Sequence, residues 1–226
     1  MEKIDRLGWA AGICFVAYGR RIGIRVNTPE ALELVLDRLP PGWKPAPSPV
    51  VEYLYSLHVG GAGQQPNLRR FHLLYAGAGR LSRTLELDQV LDVLESDLQL
   101  YVAEAARGRL FVHAGVVGWS GRAIVLPGRS LSGKSTLVAA LVRAGATYYS
   151  DEYAVLDARG RVHPYPKPLS IRQETGGQPL KSPAEALGGF SGVKPLPVGL
   201  VAVTDYRPRA RWQPRLLSPG QALLAL

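Results

Sequence analysis

Residues Gly128-Arg129-Ser130-Leu131-Ser132-Gly133-Lys134-Ser135 constrain this chain more than any other segment, because they fit the pattern G-x-x-x-x-G-K-[ST] in full. The apolar run Ala123-Ile124-Val125-Leu126, ended by Pro127, comes just before. Thr136-Leu137-Val138-Ala139-Ala140-Leu141-Val142 follows with helical character. Strand, glycine loop and helix is the context such a loop requires. Glycine lets backbone N–H groups turn toward an anion without a Cβ clash, and the helix presents the positive end of its dipole. Lys134 is then placed to reach the β- and γ-phosphates of a nucleotide, and the Ser135 hydroxyl to ligate Mg²⁺. The expected nucleotide-binding residues are Gly128, Ser130, Ser132, Gly133, Lys134, Ser135 and Thr136.

The 226 residues suffice for one sizeable domain or for a domain with an appended subdomain. At 46% hydrophobic and 20% charged residues the chain can build an ordinary core. The apolar segment from Trp9 to Tyr18 is too short to cross a bilayer, and Glu2 and Asp5 stand where a signal peptide carries basic residues. The single cysteine, Cys14, excludes an internal disulfide and a Cys-rich zinc site, and reads as a small buried apolar residue. The expectation is a cytoplasmic protein with no membrane partner. Net charge is +9, and from Arg159 to Leu226 ten Lys/Arg stand against three Asp/Glu. Such an excess attracts a nucleotide, an acidic peptide or a nucleic acid, or simply keeps a surface solvated. No nucleic-acid-binding module accompanies it.

Residues 12–26 read as a hairpin around Gly19-Arg20-Arg21, with Ile22, Ile24 and Val26 on one face. Thr28-Pro29-Glu30 reads as a helix start with Thr28 as N-cap, the helix ending near Leu39. Strands are expected at 50–59, 70–75 and 80–87, and a long helix from Asp88 to the cap at Gly108. Residues 110–117 and the run 123–126 read as strands joined by a turn at 119–122, Gly145 caps the helix after the glycine loop, 146–150 is a strand, and 153–156 and 161–163 a short hairpin. Residues 173–197, rich in Gly and Pro, read as a long loop, and 199–204 as a last buried strand. Ser218-Pro219 opens a helix that stops at Leu226 while still apolar.

A phosphate loop needs a carboxylate to hold Mg²⁺ and, for a kinase, a base for the acceptor hydroxyl. Asp151-Glu152 follows the strand after the loop helix, 17 residues beyond Lys134. If strand ends converge on a ligand crevice, as in a doubly wound sheet, both carboxylates fall near the γ-phosphate. Thr204-Asp205, after another apolar strand, is the weaker candidate for the metal. Turn chemistry explains an Asp after a strand equally well in either place. Arg172, Arg207 and Arg209 are candidate transition-state cations or plain loop arginines. Thr175-Gly176-Gly177-Gln178 echoes the transporter ATPase signature, but Pro179 follows at once and the segment lies too close to the glycine loop.

From His113 to Asp157 the chain resembles the catalytic domain of the HPr kinase/phosphorylase family. That family has a His-Gly strand, a short turn, an apolar strand into G-x-S-G-x-G-K-S, a helix ending in Arg-Gly and a strand ending in Asp-Asp. The counterparts are His113-Ala114-Gly115, Trp119-Ser120-Gly121, Gly128 to Ser135, Arg143-Ala144-Gly145 and Asp151-Glu152. The resemblance implies an α/β fold: a P-loop kinase core of the HPr kinase/phosphoenolpyruvate carboxykinase type, a mixed sheet with flanking helices. The domains expected are an N-terminal α+β region (1–87) packed on the core and a catalytic domain (88–226) with its C-terminal helix cut short. It implies ATP and Mg²⁺, with Asp151 as the base for a serine-type hydroxyl, Glu152 and Ser135 at the metal, His113 beside the transferred phosphate, and Lys134 catalytic. Four features depart from the family: the second acid is Glu, Thr136 replaces a Glu, residues 1–112 do not look like its N-terminal domain, and the family's C-terminal helices and substrate loop are not found in the sequence. Some proteins of this wider group resemble kinases of peptide precursors such as lasso peptides. The acceptor expected is therefore a peptide or protein, with a small molecule as an option, and self-association is left open. The alternatives are a nucleotide-binding regulatory or recognition module without phosphotransfer, and an NTPase acting on nucleic acid.

Overall fold

The computed structural model describes residues 3–61, 70–129, 132–171, 180–204, 209, 211 and 213–224. It is a mixed α/β structure with two compact units, residues 1–107 and 108–226. Among the described residues no helix is long and apolar enough to cross a membrane.

In the first unit, β1 (Ala11–Ala17) and β2 (Arg20–Val26) form the expected hairpin, with Ile13 opposite Ile24 and Phe15 opposite Ile22. Helix α1 (Glu30–Leu36) begins one residue later than expected. Pro29 occupies its N-cap and no side chain caps it; the Thr28 carbonyl, not its hydroxyl, engages the helix through Ala31 N–H. The short β3 (Lys44–Pro45), β4 (Tyr53–His58), β5 (His72–Ala76) and β6 (Gly79–Thr84) complete a six-stranded sheet of order β3-β1-β2-β4-β5-β6. Only β2 and β4 run parallel. Helix α2 (Leu87–Ala105) buries Val90, Leu91, Leu94, Leu98 and Val102. Tyr101 on it stacks on Tyr53 with centroids 4.2 Å apart, and Asp97 accepts the Tyr55 hydroxyl at 2.7 Å. Those contacts move the boundary. The expected division at 87/88 gives α2 to the second domain, but its apolar stripe is spent on the first sheet, and the units part at Arg107/Gly108.

The second unit begins with the hairpin of β7 (Leu110–Trp119) and β8 (Arg122–Pro127). Helix α3 (Lys134–Arg143), β9 (Thr147–Ser150), β10 (Tyr153–Leu156) and β11 (Arg161–His163) follow, then β12 (Leu169–Ile171), β13 (Leu180–Ser182), β14 (Leu196–Val201) and α4 (Pro219–Leu224). The main sheet has the order β10-β11-β14-β8-β7-β9, and β10 also pairs with β7. Five strands, β7, β8, β14, β11 and β10, therefore close into a small barrel. Only β14 and β8 are parallel, so the sheet is not doubly wound. Asp157 fixes the β10–β11 turn: its carboxylate accepts the Arg159 and Arg161 N–H groups and the side chains of Arg161 and His163.

Strand β7 divides the apolar residues between two cores. Ala114 and Val116 point into the barrel with Ala123, Val125, Tyr149, Ala154 and Val162. Val117 points the other way, into a layer under α3 with Leu126, Val138, Val142 and Tyr148. Gly115 shares that second face. A Cβ there would lie 2.6 Å from Val138 Cγ2, so glycine is what lets α3 settle on the strand.

Two expectations about the end of the chain change. The loop expected over 173–197 is partly built: β13 pairs with β12, a 3₁₀ turn spans Ala184–Leu187 with Ala184 in the α3 layer, and Phe190 and Gly192 exchange backbone bonds with Tyr148. Residues 172–179 lie outside the described residues. The strand expected over 199–204 as fully buried starts at Leu196, and Leu200 and Val201 are 52% and 43% exposed. Its backbone pairs with β8 on one edge and, at Leu196 and Pro197, with β11 on the other, while Leu200 and Val201 alternate to opposite faces.

Candidate functional site

The glycine loop connects β8 to α3. Gly133 adopts φ 86°, ψ 10° at the helix N-cap, a left-handed conformation that glycine reaches without Cβ strain. Ser130 and Leu131 lie outside the described residues. Lys134 is 6% exposed, and its ammonium donates to the carbonyls of Gly128 at 2.7 Å and Arg129 at 2.9 Å. Burial lowers its pKa, against the pull of Asp151 and Glu152. Thr136 is exposed on the first turn of α3.

The carboxylates reach the loop through a register fault. Tyr148 lies opposite Val117 and Ser150 opposite Val116, so Tyr149 is one residue too many and forms a bulge. Opposed residues share a face. The bulge therefore puts Ser150 on the barrel side with Val116 and turns Asp151 to the α3 side, next to Gly115. Asp151 is 9% exposed. It bonds the Ser135 side chain, and its Oδ2 accepts the Ser170 backbone N–H at 3.3 Å. Burial, reinforced by Glu152 and opposed by the Ser135 and Ser170 bonds and Lys134, raises its pKa to about 6. Beyond the kink, Tyr153 resumes pairing opposite His113.

Glu152 and His113 form the open side. Both are nearly half exposed, with His113 Nε2 4.0 Å from Glu152 Oε1. Burial first, and then Lys134, lower the His113 pKa, with Glu152 opposing. His113 is thus neutral at pH 7, and the contact is not an ion pair there. Next to it, Tyr153, Phe111 and Tyr165 pack edge to face, with centroids 5.5–5.9 Å apart.

His113, Lys134, Ser135, Asp151 and Glu152 are therefore brought together, strung on either side of β7. Asp205, Arg172 and Arg207 lie outside the described residues, and Arg209 is exposed. The sequence reading missed Ser170, which no local pattern marks. It also missed the role of Ser150, whose position before Asp-Glu at a strand end was a usable turn signal.

Around the glycine loop, three buried polar atoms have no hydrogen-bond partner among the described residues: Ser132 Oγ, Asp151 Oδ1 and Thr204 Oγ1. Ser132 Oγ and the Thr204 carbonyl lie 2.7 and 3.7 Å from where a side chain on Gly128 would begin. No group of three or more His, Cys, Asp or Glu that could enclose a metal occurs among the described residues. The donors are oxygen only and few, which fits Mg²⁺, an ion that keeps waters and takes one or two protein ligands beside phosphate oxygens. Comparison with protein-family models, with curated proteins and with solved structures finds no match to this chain.

Proposed function

We propose that this chain is an ATP- and Mg²⁺-dependent kinase, of the HPr-kinase-like type suggested by residues 113–157, acting on a hydroxyl of a peptide, protein or small molecule. The observation that carries the reading is Asp151: a buried carboxylate bonded to Ser135, the last residue of the phosphate loop. Loop N–H groups and Lys134 would bind the nucleotide's phosphates. Ser135 and Glu152 would hold Mg²⁺, which when bound neutralises charge on the β- and γ-phosphates. Asp151 takes the proton of the acceptor hydroxyl. The acceptor oxygen bonds to the γ-phosphorus while the bond to the β,γ-bridging oxygen breaks, and the nucleoside diphosphate leaves with that electron pair. A base with a pKa of about 6 is ionised at neutral pH yet basic enough to assist. His113, neutral, can donate a hydrogen bond to a phosphate oxygen.

The test uses γ-labelled ATP, Mg²⁺ and a mixture of serine-, threonine- and tyrosine-containing peptides and proteins. Label on an acceptor, lost in Asp151→Asn while ATP still binds, is the expected result. Transfer at the wild-type rate by Asp151→Asn overturns the assignment of the base. ATP binding without transfer to any acceptor or to water favours the regulatory module.

A further inference from the structure

Ser150 is fully buried, and its Oγ accepts two backbone N–H groups, Glu152 at 3.1 Å and Tyr153 at 2.9 Å. These donors sit where the strand pairing along β7 is interrupted. Val116 is opposite Ser150 and His113 is opposite Tyr153, with Asp151 and Glu152 between. One further bond crosses the gap, Ala114 N–H to the Glu152 carbonyl at 3.2 Å. A hydroxyl that takes two N–H groups ahead of it holds a tight turn. This turn lies between the bulge that aims Asp151 at Ser135 and the strand that carries Tyr153 back to His113.

We infer that Ser150 is a positioning residue of the phosphotransfer site: its hydroxyl locks the kink that presents Asp151 to the loop and Glu152 to the open side. The inference rests on the kinase reading above. Ser150 lies buried on the barrel side, opposite Val116. It acts through the backbone of its two acidic neighbours, where misplacement by about 1 Å costs on the order of a hundredfold in rate.

The test needs no identified acceptor, because water can stand in: Asp151 takes a proton from water, whose oxygen displaces the nucleoside diphosphate. Hydrolysis of Mg·ATP is measured for the wild type, Ser150→Ala and Ser150→Thr, with amide hydrogen exchange at Glu152 and Tyr153. Ser150→Ala is expected to lower kcat about ten- to a hundredfold with KM for ATP within about twofold, and to speed exchange at both amides. Ser150→Thr, which keeps the hydroxyl, restores kcat to within a few-fold. Unchanged kcat in Ser150→Ala overturns the positioning role. Should the alanine variant lose its fold, Ser150→Cys takes its place, since a thiol fills the space but accepts weakly; wild-type kcat in that variant overturns the role as well. A wild-type chain that neither binds nor hydrolyses Mg·ATP overturns the kinase reading itself.

Discussion

The Ser170 backbone N–H donates to Asp151 Oδ2 at 3.3 Å, so β12 and α3 both hold the carboxylate that β9 delivers. Even so, burial outweighs these bonds and lifts its pKa to about 6. The folded state thus favours the neutral acid, and the ionised form carries a penalty that is absent below about pH 4 and complete above about pH 6. Asp151→Asn removes it. The variant is expected to be more stable than the wild type at pH 7, by up to about 3 kcal/mol, with no advantage at pH 3.5. Chemical denaturation at the two pH values checks this. The same ionisation predicts phosphoryl transfer that rises through about pH 6 in the wild type.

Lys134 is held by two loop carbonyls, and neither bond belongs to α3. Lys134→Met keeps the long apolar stem and removes the charge. The expected outcome is an intact fold and Mg·ATP affinity weakened by at least about tenfold, the order lost with one charge-assisted contact. Calorimetric titration measures it. Unaltered affinity would remove Lys134 from the nucleotide site.

Much of this site was legible in the sequence because its parts are local. The loop spacing, the strand before it and the Asp-Glu pair are each set by a few consecutive residues. The barrel was not legible: β10 returns to pair with the first half of β7, with Leu156 opposite Leu110, and no residue in either segment announces a partner so far along the chain. The place of α2 was illegible for a related reason. Its apolar stripe shows that one face is buried, not which sheet buries it. The segment after β13 looked structureless because Gly189 and Gly192 read as loop formers. In the structure they permit close approach to Val142 and to the Tyr149 ring.

Gly115→Ala tests the seat of α3. The added methyl meets Val138 Cγ2, and overpacking of this kind costs about 1–3 kcal/mol. Because α3 carries the loop residues Lys134 and Ser135, nucleotide affinity should fall along with the thermal midpoint. Ala114→Gly, one residue away on the barrel face, should lower stability without weakening the nucleotide.

The hydroxyl of Thr204, at the end of the β14 segment, is buried without a partner among the described residues. Thr204→Val keeps the shape and removes the unsatisfied group. Such a change is neutral or stabilising, by up to about 1–3 kcal/mol. If the hydroxyl serves a bound phosphate, the thermal shift produced by Mg·ATP shrinks in the variant while the ligand-free midpoint does not drop. Equal shifts in both proteins would assign Thr204 to structure alone.

Strand β7 bears on the order of events as the chain folds. It pairs with β8, β9 and β10, and His113, Lys134, Ser135, Asp151 and Glu152 all fall between 113 and 153. Contacts so short in sequence form early, before the distant return of β14 and β11 seals the barrel. The candidate site would then exist, though loosely held, while the rest of the polypeptide is still being made.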